Sequence, residues 1–192
     1  MKEISSFVEL TPIEILQKES LNWRISEDMI HHILKTINLG KDANNVKGRL
    51  GEYFVAYHLN KTLRMHGFKQ SYKAIPNSYT IRHLYRGHKG IDFYLRVIDK
   101  EGKVYKYLIE VANWKRLRYQ MDFFYQDRIV PKFTQWDRLN RYDHVMCINH
   151  RNTQFIEEKA KSDGVSIIQL KEHYTPELIK KLIAEKQIDP YT

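Results

Sequence analysis

The fold is decided by two predicted strands, residues 91–98 (IDFYLRVI) and residues 104–112 (VYKYLIEVA), and by the short DKEGK segment between them. Both strands are rich in β-branched and aromatic residues, and the connecting segment has the composition of a hairpin turn. A hairpin brings the outer ends of its two strands together. We therefore expect Asp92 and Glu110 to lie close to one another, with their side chains on one face.

The segments around this hairpin predict a mixed sheet. Upstream, residues 45–66 predict a helix that ends at Gly67, and residues 71–76 predict a short strand. Downstream, helical and strand patterns alternate, which indicates parallel pairing. These predicted segments are a helix at 132–141, a strand at 144–149, a helix at 153–161, a strand at 165–170 and a helix at 176–186. We expect an α/β fold in which helices flank a mixed central sheet.

Residues 1–44 predict a helical N-terminal extension, and residues 45–192 form the main domain. The sequence from Thr11 to Glu14 places a capping residue, a proline and a glutamate at the start of a first helix. Ser26 precedes apolar residues at helical spacing, which predicts a second helix. We expect both helices to pack on the main domain.

Glu52 is unusual because it lies on an apolar face of the predicted helix 45–66. Ala56, Leu59 and Leu63 follow it at helical spacing. An unpaired buried charge is costly, so this carboxylate requires a cation, a donor or water. A metal ion and an ion pair with a neighbouring Lys or Arg both satisfy this requirement.

Four short motifs lie on the predicted elements, namely GRLGE at 48–52, GID at 90–92, LIEVA at 108–112 and KFTQ at 132–135. In this order and on these elements, they resemble the PD-(D/E)XK nuclease superfamily, and within it the archaeal Holliday junction resolvases. The resemblance spans residues 45–170 and implies a restriction-endonuclease-like fold, whose core order is helix, three strands, helix, strand.

The resemblance implies a metal site. Asp92 and Glu110 would bind Mg²⁺ or Mn²⁺ together with the backbone carbonyl of Val111, and Glu52 would contact the metal through water. Two carboxylates are suitable ligands for such a hard cation, which keeps several waters. The alternative is that both carboxylates are strand-end residues that face solvent.

One position departs from the family pattern. The family places a catalytic lysine two residues after the glutamate, where this chain has Ala112. We expect Lys115 to replace it, with Lys132 as the second candidate and Lys89 as the third. A solvated surface lysine or a phosphate contact is the alternative for each.

The charge of the chain indicates a polyanionic partner. Its formal net charge is +9, and basic and aromatic residues alternate between positions 115 and 141. Cations anchor phosphates and aromatic rings stack on unpaired bases, although such rings also serve as core or dimer interface. The predicted nucleic-acid-binding residues are Arg116, Arg118, Lys132, Gln135 and Arg138.

The sequence thus predicts a Mg²⁺-dependent DNA endonuclease, with Glu52, Asp92, Glu110 and Lys115 as catalytic residues. Branched DNA is the expected substrate and a homodimer the expected assembly. The alternative is a DNA-binding protein that kept the fold and lost the lysine. A third hypothesis, an RNA endonuclease that uses histidine as general acid and base, has no specific arrangement in its favour.

Other features exclude classes of protein. The single cysteine, Cys147, excludes an internal disulfide and most cysteine-based zinc sites. No apolar run approaches the roughly 18 residues of a membrane span, and the first residues do not resemble a secretory signal. We expect a cytoplasmic protein that does not contact membranes.

Overall fold

The hairpin predicted from the sequence forms the centre of a five-stranded sheet. Strand β2 (Phe93–Ile98) pairs antiparallel with β3 (Val104–Asn113), in a register that runs from Phe93 opposite Ile109 to Ile98 opposite Val104. In the turn, one carboxylate oxygen of Asp99 accepts hydrogen bonds from the backbone N–H groups of Glu101 and Lys103, at 3.0 and 2.8 Å. These bonds close the turn and set the register.

The structure, a computed structural model, describes residues 9–23, 43–72, 91–113, 125–149, 154–170 and 184. The predicted helix after Ser26 lies outside these ranges, and so does all but residue 184 of the predicted helix 176–186.

Three further strands complete the sheet, whose order is β1-β2-β3-β4-β5. Strand β1 (Lys69–Tyr72) pairs antiparallel with β2, and it begins two residues before the predicted strand. Strand β4 (Asp143–Asn149) is parallel to β3, and β5 (Val165–Gln169) is parallel to β4. The prediction of a mixed sheet with helices between its parallel strands is confirmed.

Four α-helices pack on this sheet within the described residues. They are α1 (Pro12–Glu19), α2 (Ala43–Met65), α3 (Val130–Trp136) and α4 (Gln154–Ser162). Helix α1 starts with the predicted capping box, in which the Thr11 hydroxyl accepts the Glu14 N–H and the Glu14 carboxylate accepts the Thr11 N–H. A 3₁₀ turn, Ser20–Asn22, follows α1.

The bounds predicted for α3 are wrong. A π-helical turn, Tyr125–Ile129, precedes α3, so the helical segment starts well before the predicted residue 132. It ends at Trp136 rather than at residue 141 because the carboxylate of Asp137 accepts the N–H groups of Arg141 and Tyr142, at 2.7 and 3.0 Å. These bonds fold the chain into a turn that leads into β4.

The sheet has a hydrophobic cluster on each face. The first cluster joins α1, Trp23 and α2 to one face of the sheet, through buried residues such as Leu16, Leu59 and Leu63. The second joins the π-helical turn, α3 and α4 to the other face. Side chains alternate along β3, so its even-numbered residues 108 and 112 belong to the second cluster and its odd-numbered residues 107 and 109 to the first. Among the described helices, none combines the length and the apolar character that crossing a bilayer requires.

Candidate active site

The structure brings Asp92 and Glu110 together through two hydrogen bonds. The N–H of Asp92 donates to Oε1 of Glu110 at 3.2 Å, and the N–H of Val111 donates to Oδ2 of Asp92 at 2.8 Å. Asp92 stands one residue before β2, and Glu110 lies near the end of β3. Each carboxylate thus fixes the backbone that carries the other, and the two side chains share one site.

The site lies at the carboxyl end of the parallel strands. Glu110 is paired with Met146 of β4, three residues before the last pair, Asn113 with Asn149. Ligands in open α/β sheets bind at the carboxyl ends of strands, where connections leave a crevice. The position of the two carboxylates therefore agrees with the usual location of a binding site in this class of fold.

Glu110 is almost completely buried, with 2% of its surface exposed. It follows Leu108 and precedes Ala112 on the second face of the sheet, and both of these neighbours are buried. Burial raises the pKa of Glu110 well above its usual range, and repulsion by the Asp92 carboxylate adds to this effect. The Lys132 ammonium group acts in the opposite direction. A nearby cation therefore strongly stabilises the ionised form of Glu110 at this site.

Lys132 supplies such a cation from α3. Its Nζ atom lies 2.5 Å from Oε2 of Glu110, and 18% of its side chain is exposed. The residue next to it, Phe133, is buried in the second cluster together with Ala112. Because Ala112 carries only a methyl group, the strand position two residues after Glu110 is occupied by apolar packing, and the ammonium group beside Glu110 comes from α3.

The helical segment that carries Lys132 is held at both ends by hydrogen bonds that the sequence analysis did not predict. The Tyr125 hydroxyl donates to Oδ2 of Asp163 at 3.0 Å. At the other end, Nε2 of His144 lies 2.9 Å from Oδ2 of Asp137, and the His144 ring stacks on Phe133 with centroids 4.7 Å apart. The apolar spacing of Tyr125, Ile129 and Phe133 was the available signal that a helix starts at residue 125.

Glu52, a further predicted site residue, lies on helix α2. Glu52 is half-buried on α2, which packs on the first face of the sheet, whereas Glu110 is on the second. Within the described residues, no three His, Cys, Asp or Glu side chains form a group that could hold a metal ion. The predicted contact of Glu52 with the metal through water stays a prediction.

Some of the other predicted residues lie within the described ranges, and some lie outside them. Lys115, Arg116, Arg118 and Lys89 lie outside the described residues. Gln135 is half-buried on α3, and Arg138 is exposed in the turn that follows. The Val111 N–H bonds to Asp92, and the predicted role of its carbonyl as a metal ligand stays a prediction.

A scan against models of protein families finds no match for this chain. A search of curated proteins finds no significantly similar sequence.

Proposed function

We propose that this protein is a Mg²⁺- or Mn²⁺-dependent endonuclease that hydrolyses phosphodiester bonds in DNA. The observation that carries the proposal is the arrangement of Asp92, Glu110 and Lys132, in which two acidic side chains and one ammonium group meet at the carboxyl end of parallel strands. Metal-dependent nucleases require ligands for a cation and a positive group beside the phosphate.

The order of elements supports a PD-(D/E)XK fold. Helix α2 precedes the antiparallel strands β1, β2 and β3, and α3 then connects β3 to the parallel strand β4. This order agrees with the helix, three strands, helix, strand of the family core. The two acidic residues of the family motifs stand at the start of β2 and near the end of β3.

The charges and donor atoms of the site fit one hard divalent cation. Asp92 and Glu110 offer carboxylate oxygens, which Mg²⁺ prefers as ligands. With both carboxylates ionised, the single Lys132 ammonium leaves the group of three with a net negative charge in a buried place. A divalent cation would remove the repulsion that raises the pKa of Glu110.

In the proposed reaction, Asp92 and Glu110 would hold the cation at the end of the sheet. When bound there, Mg²⁺ would supply Lewis-acid stabilisation of the phosphate and would make a nearby water easier to deprotonate. Lys132 stabilises the negative charge that develops on the phosphate oxygens as water attacks phosphorus. The attacking water loses its proton to solvent as its oxygen bonds to phosphorus. The bond from phosphorus to the leaving sugar oxygen then breaks, and that oxygen takes up a proton from solvent.

The partner and the assembly are also proposals. The net charge of +9 and the basic residues Arg116 and Arg118 support DNA as the substrate, through contacts with its phosphates. Branched DNA and a homodimer follow from the resemblance to junction resolvases, because such enzymes cut two symmetric strands. Light scattering at micromolar concentration measures the assembly, and a monomer would contradict the junction-resolving form of the proposal.

The proposal is tested by cleavage assays on linear, single-stranded and four-way DNA, with Mg²⁺, with Mn²⁺ and with a chelator. We expect cutting that depends on the metal and that is lost in Asp92→Asn. The matched control is Glu101→Gln, which removes an exposed carboxylate from the turn of the same hairpin. Equal cutting by Asp92→Asn and the control would contradict the site.

A second candidate function is a DNA-binding protein that does not cut. It is favoured by Ala112 and by the ion pair of Lys132 with Glu110, since the ammonium group compensates Glu110 without a metal. Tight binding of DNA by the wild-type protein, with no cutting in either metal, would support this candidate against the enzyme.

A further inference from the structure

Helix α3 is poorly stabilised by its own sequence. It spans seven residues, Val130–Trp136, and no side chain caps its N-terminus. Helices of this length are unstable in isolation, so tertiary contacts must hold them in place. The position of Lys132 therefore depends on what anchors the helical segment to the rest of the molecule.

The N-terminal anchor is Tyr125. Its ring is buried, with 1% of its surface exposed, in the same cluster as Ile129 and Phe133. Its hydroxyl donates to Asp163, which lies in the turn between α4 and β5. Burial and this hydrogen bond raise the pKa of the Tyr125 hydroxyl above its ordinary value, so the group stays protonated and remains a donor.

The hydrogen bond between Tyr125 and Asp163 holds a segment of unusual backbone conformation. Tyr125 is the first residue of the π-helical turn, and such turns are rare and occur often at functional sites. A π turn contains more residues per turn than an α-helix and so changes the direction in which the following side chains point. If the turn relaxed to α-helical geometry, the face of α3 that carries Lys132 would rotate away from β3.

We infer that Tyr125 and Asp163 are positioning residues for Lys132, because their hydrogen bond fixes the π-helical turn from which α3 directs its ammonium group at Glu110. The effect of both residues on the reaction would pass through the position of Lys132. The inference rests on the proposed function for its catalytic consequence, whereas the placement of Lys132 can be measured without any activity.

Two substitutions remove the bond from opposite sides. Tyr125→Phe deletes the hydroxyl and keeps the ring, and Asp163→Ala deletes the acceptor. Asp163→Asn keeps an acceptor oxygen and is the conservative rescue. Tyr142→Phe is the control, since it deletes a hydroxyl from a half-buried tyrosine that packs on the same face of the sheet.

The first readout is the rate at which an amine-acylating reagent modifies Lys132, followed by mass spectrometry, with the exposed Lys161 as internal reference. We expect Tyr125→Phe and Asp163→Ala to raise this rate several-fold, because the ammonium group leaves its ion pair with Glu110. Tyr142→Phe and Asp163→Asn should remain near the wild-type rate. The double variant Tyr125→Phe with Asp163→Ala should be no faster than either single variant, as two partners in one bond require.

The second readout is DNA cleavage. We expect kcat to fall about tenfold in Tyr125→Phe with KM unchanged, since misplacing a catalytic group impairs the chemical step more than binding. Wild-type acylation rates of Lys132 in both Tyr125→Phe and Asp163→Ala would overturn the inference. If the wild-type protein cuts no DNA, the proposed function fails, and the acylation rates still decide whether Tyr125 and Asp163 position Lys132.

Discussion

The Nζ atom of Lys132 lies 2.5 Å from Oε2 of Glu110, and this ion pair joins α3 to β3 across 22 residues of sequence. The position two residues after Glu110, where the nuclease family has its lysine, is the buried Ala112. The ammonium group therefore reaches the acidic site from a helix instead of from the strand. Among the described residues, Lys132 is therefore our candidate for the lysine of the proposed site, and the role of Lys115 stays a prediction.

Lys132→Met should lower metal-dependent DNA cleavage by about 100-fold, because a positive group beside developing phosphate charge commonly contributes a few kcal/mol. The change keeps the length of the side chain and removes its charge. Steady-state cleavage of a four-way junction measures the effect, with Lys161→Met as the matched control on the exposed surface of α4. Wild-type cleavage by Lys132→Met would show that another residue supplies the cation.

Glu110→Gln should abolish cleavage and leave DNA binding within a few-fold of wild type, because it removes the proposed metal ligand and no proposed phosphate contact. Calorimetric titration with Mn²⁺ should show the loss of metal binding independently of activity. Retention of metal binding in Glu110→Gln would rule out Glu110 as a ligand.

Ala112→Lys should destabilise the protein by about 2 kcal/mol or more, since the new side chain must fit into a packed cluster beside Ile129 and Phe133. Urea denaturation measures this loss. When combined with Lys132→Met, the same substitution moves the ammonium group from the helix to the family position, and we expect it to recover part of the cleavage. A double variant that cuts no faster than Lys132→Met would argue against the strand position as a substitute.

Replacing Arg116 and Arg118 together with Gln should weaken binding to every DNA substrate. The slope of log affinity against log salt concentration should decrease by about 2, as expected for two lost phosphate contacts on duplex DNA. Fluorescence anisotropy at several salt concentrations measures this slope. An unchanged slope would mean that these arginines do not contact DNA.

His58 should make the protein less stable in mild acid. It is buried against Trp23 and Phe54, and burial, with a smaller contribution from Lys61, lowers its pKa to about 4. Because the unfolded chain binds this proton more tightly, stability is lost as the pH falls from about 6.5 towards 4. Between pH 7 and pH 5 the wild-type protein should lose free energy of unfolding, and His58→Leu should reduce this loss by about 2 kcal/mol, as measured by urea denaturation.

The matched control for this prediction is His66→Gln, which replaces an exposed histidine at the end of α2. It should leave the pH dependence of stability close to that of the wild-type protein. An equal slope in His58→Leu and the wild type would show that folding does not lower the pKa of His58.

The local sequence determined most of the elements and the meeting of the two carboxylates. The hairpin could be predicted because strand composition and turn chemistry act over a few residues, and pairing its ends then required Asp92 and Glu110 to approach each other. The capping box at Thr11 and the end of α2 near Gly67 are local in the same sense. The end of α3 was missed because Asp137 turns the chain by bonds to residues 141 and 142 and pairs with His144 of β4.

The source of the ammonium group was decided only by the tertiary structure. The sequence placed Lys89, Lys115 and Lys132 within reach of the predicted site but did not rank them by distance to Glu110. Lys132 meets Glu110 because β3 and β4 are parallel, so the connection between them must cross one face of the sheet, and α3 packs on the face that carries Glu110. Burial of Ile129 and Phe133 against that face then directs the neighbouring Lys132 at the carboxylate, and this packing between residues distant in sequence leaves no local signal.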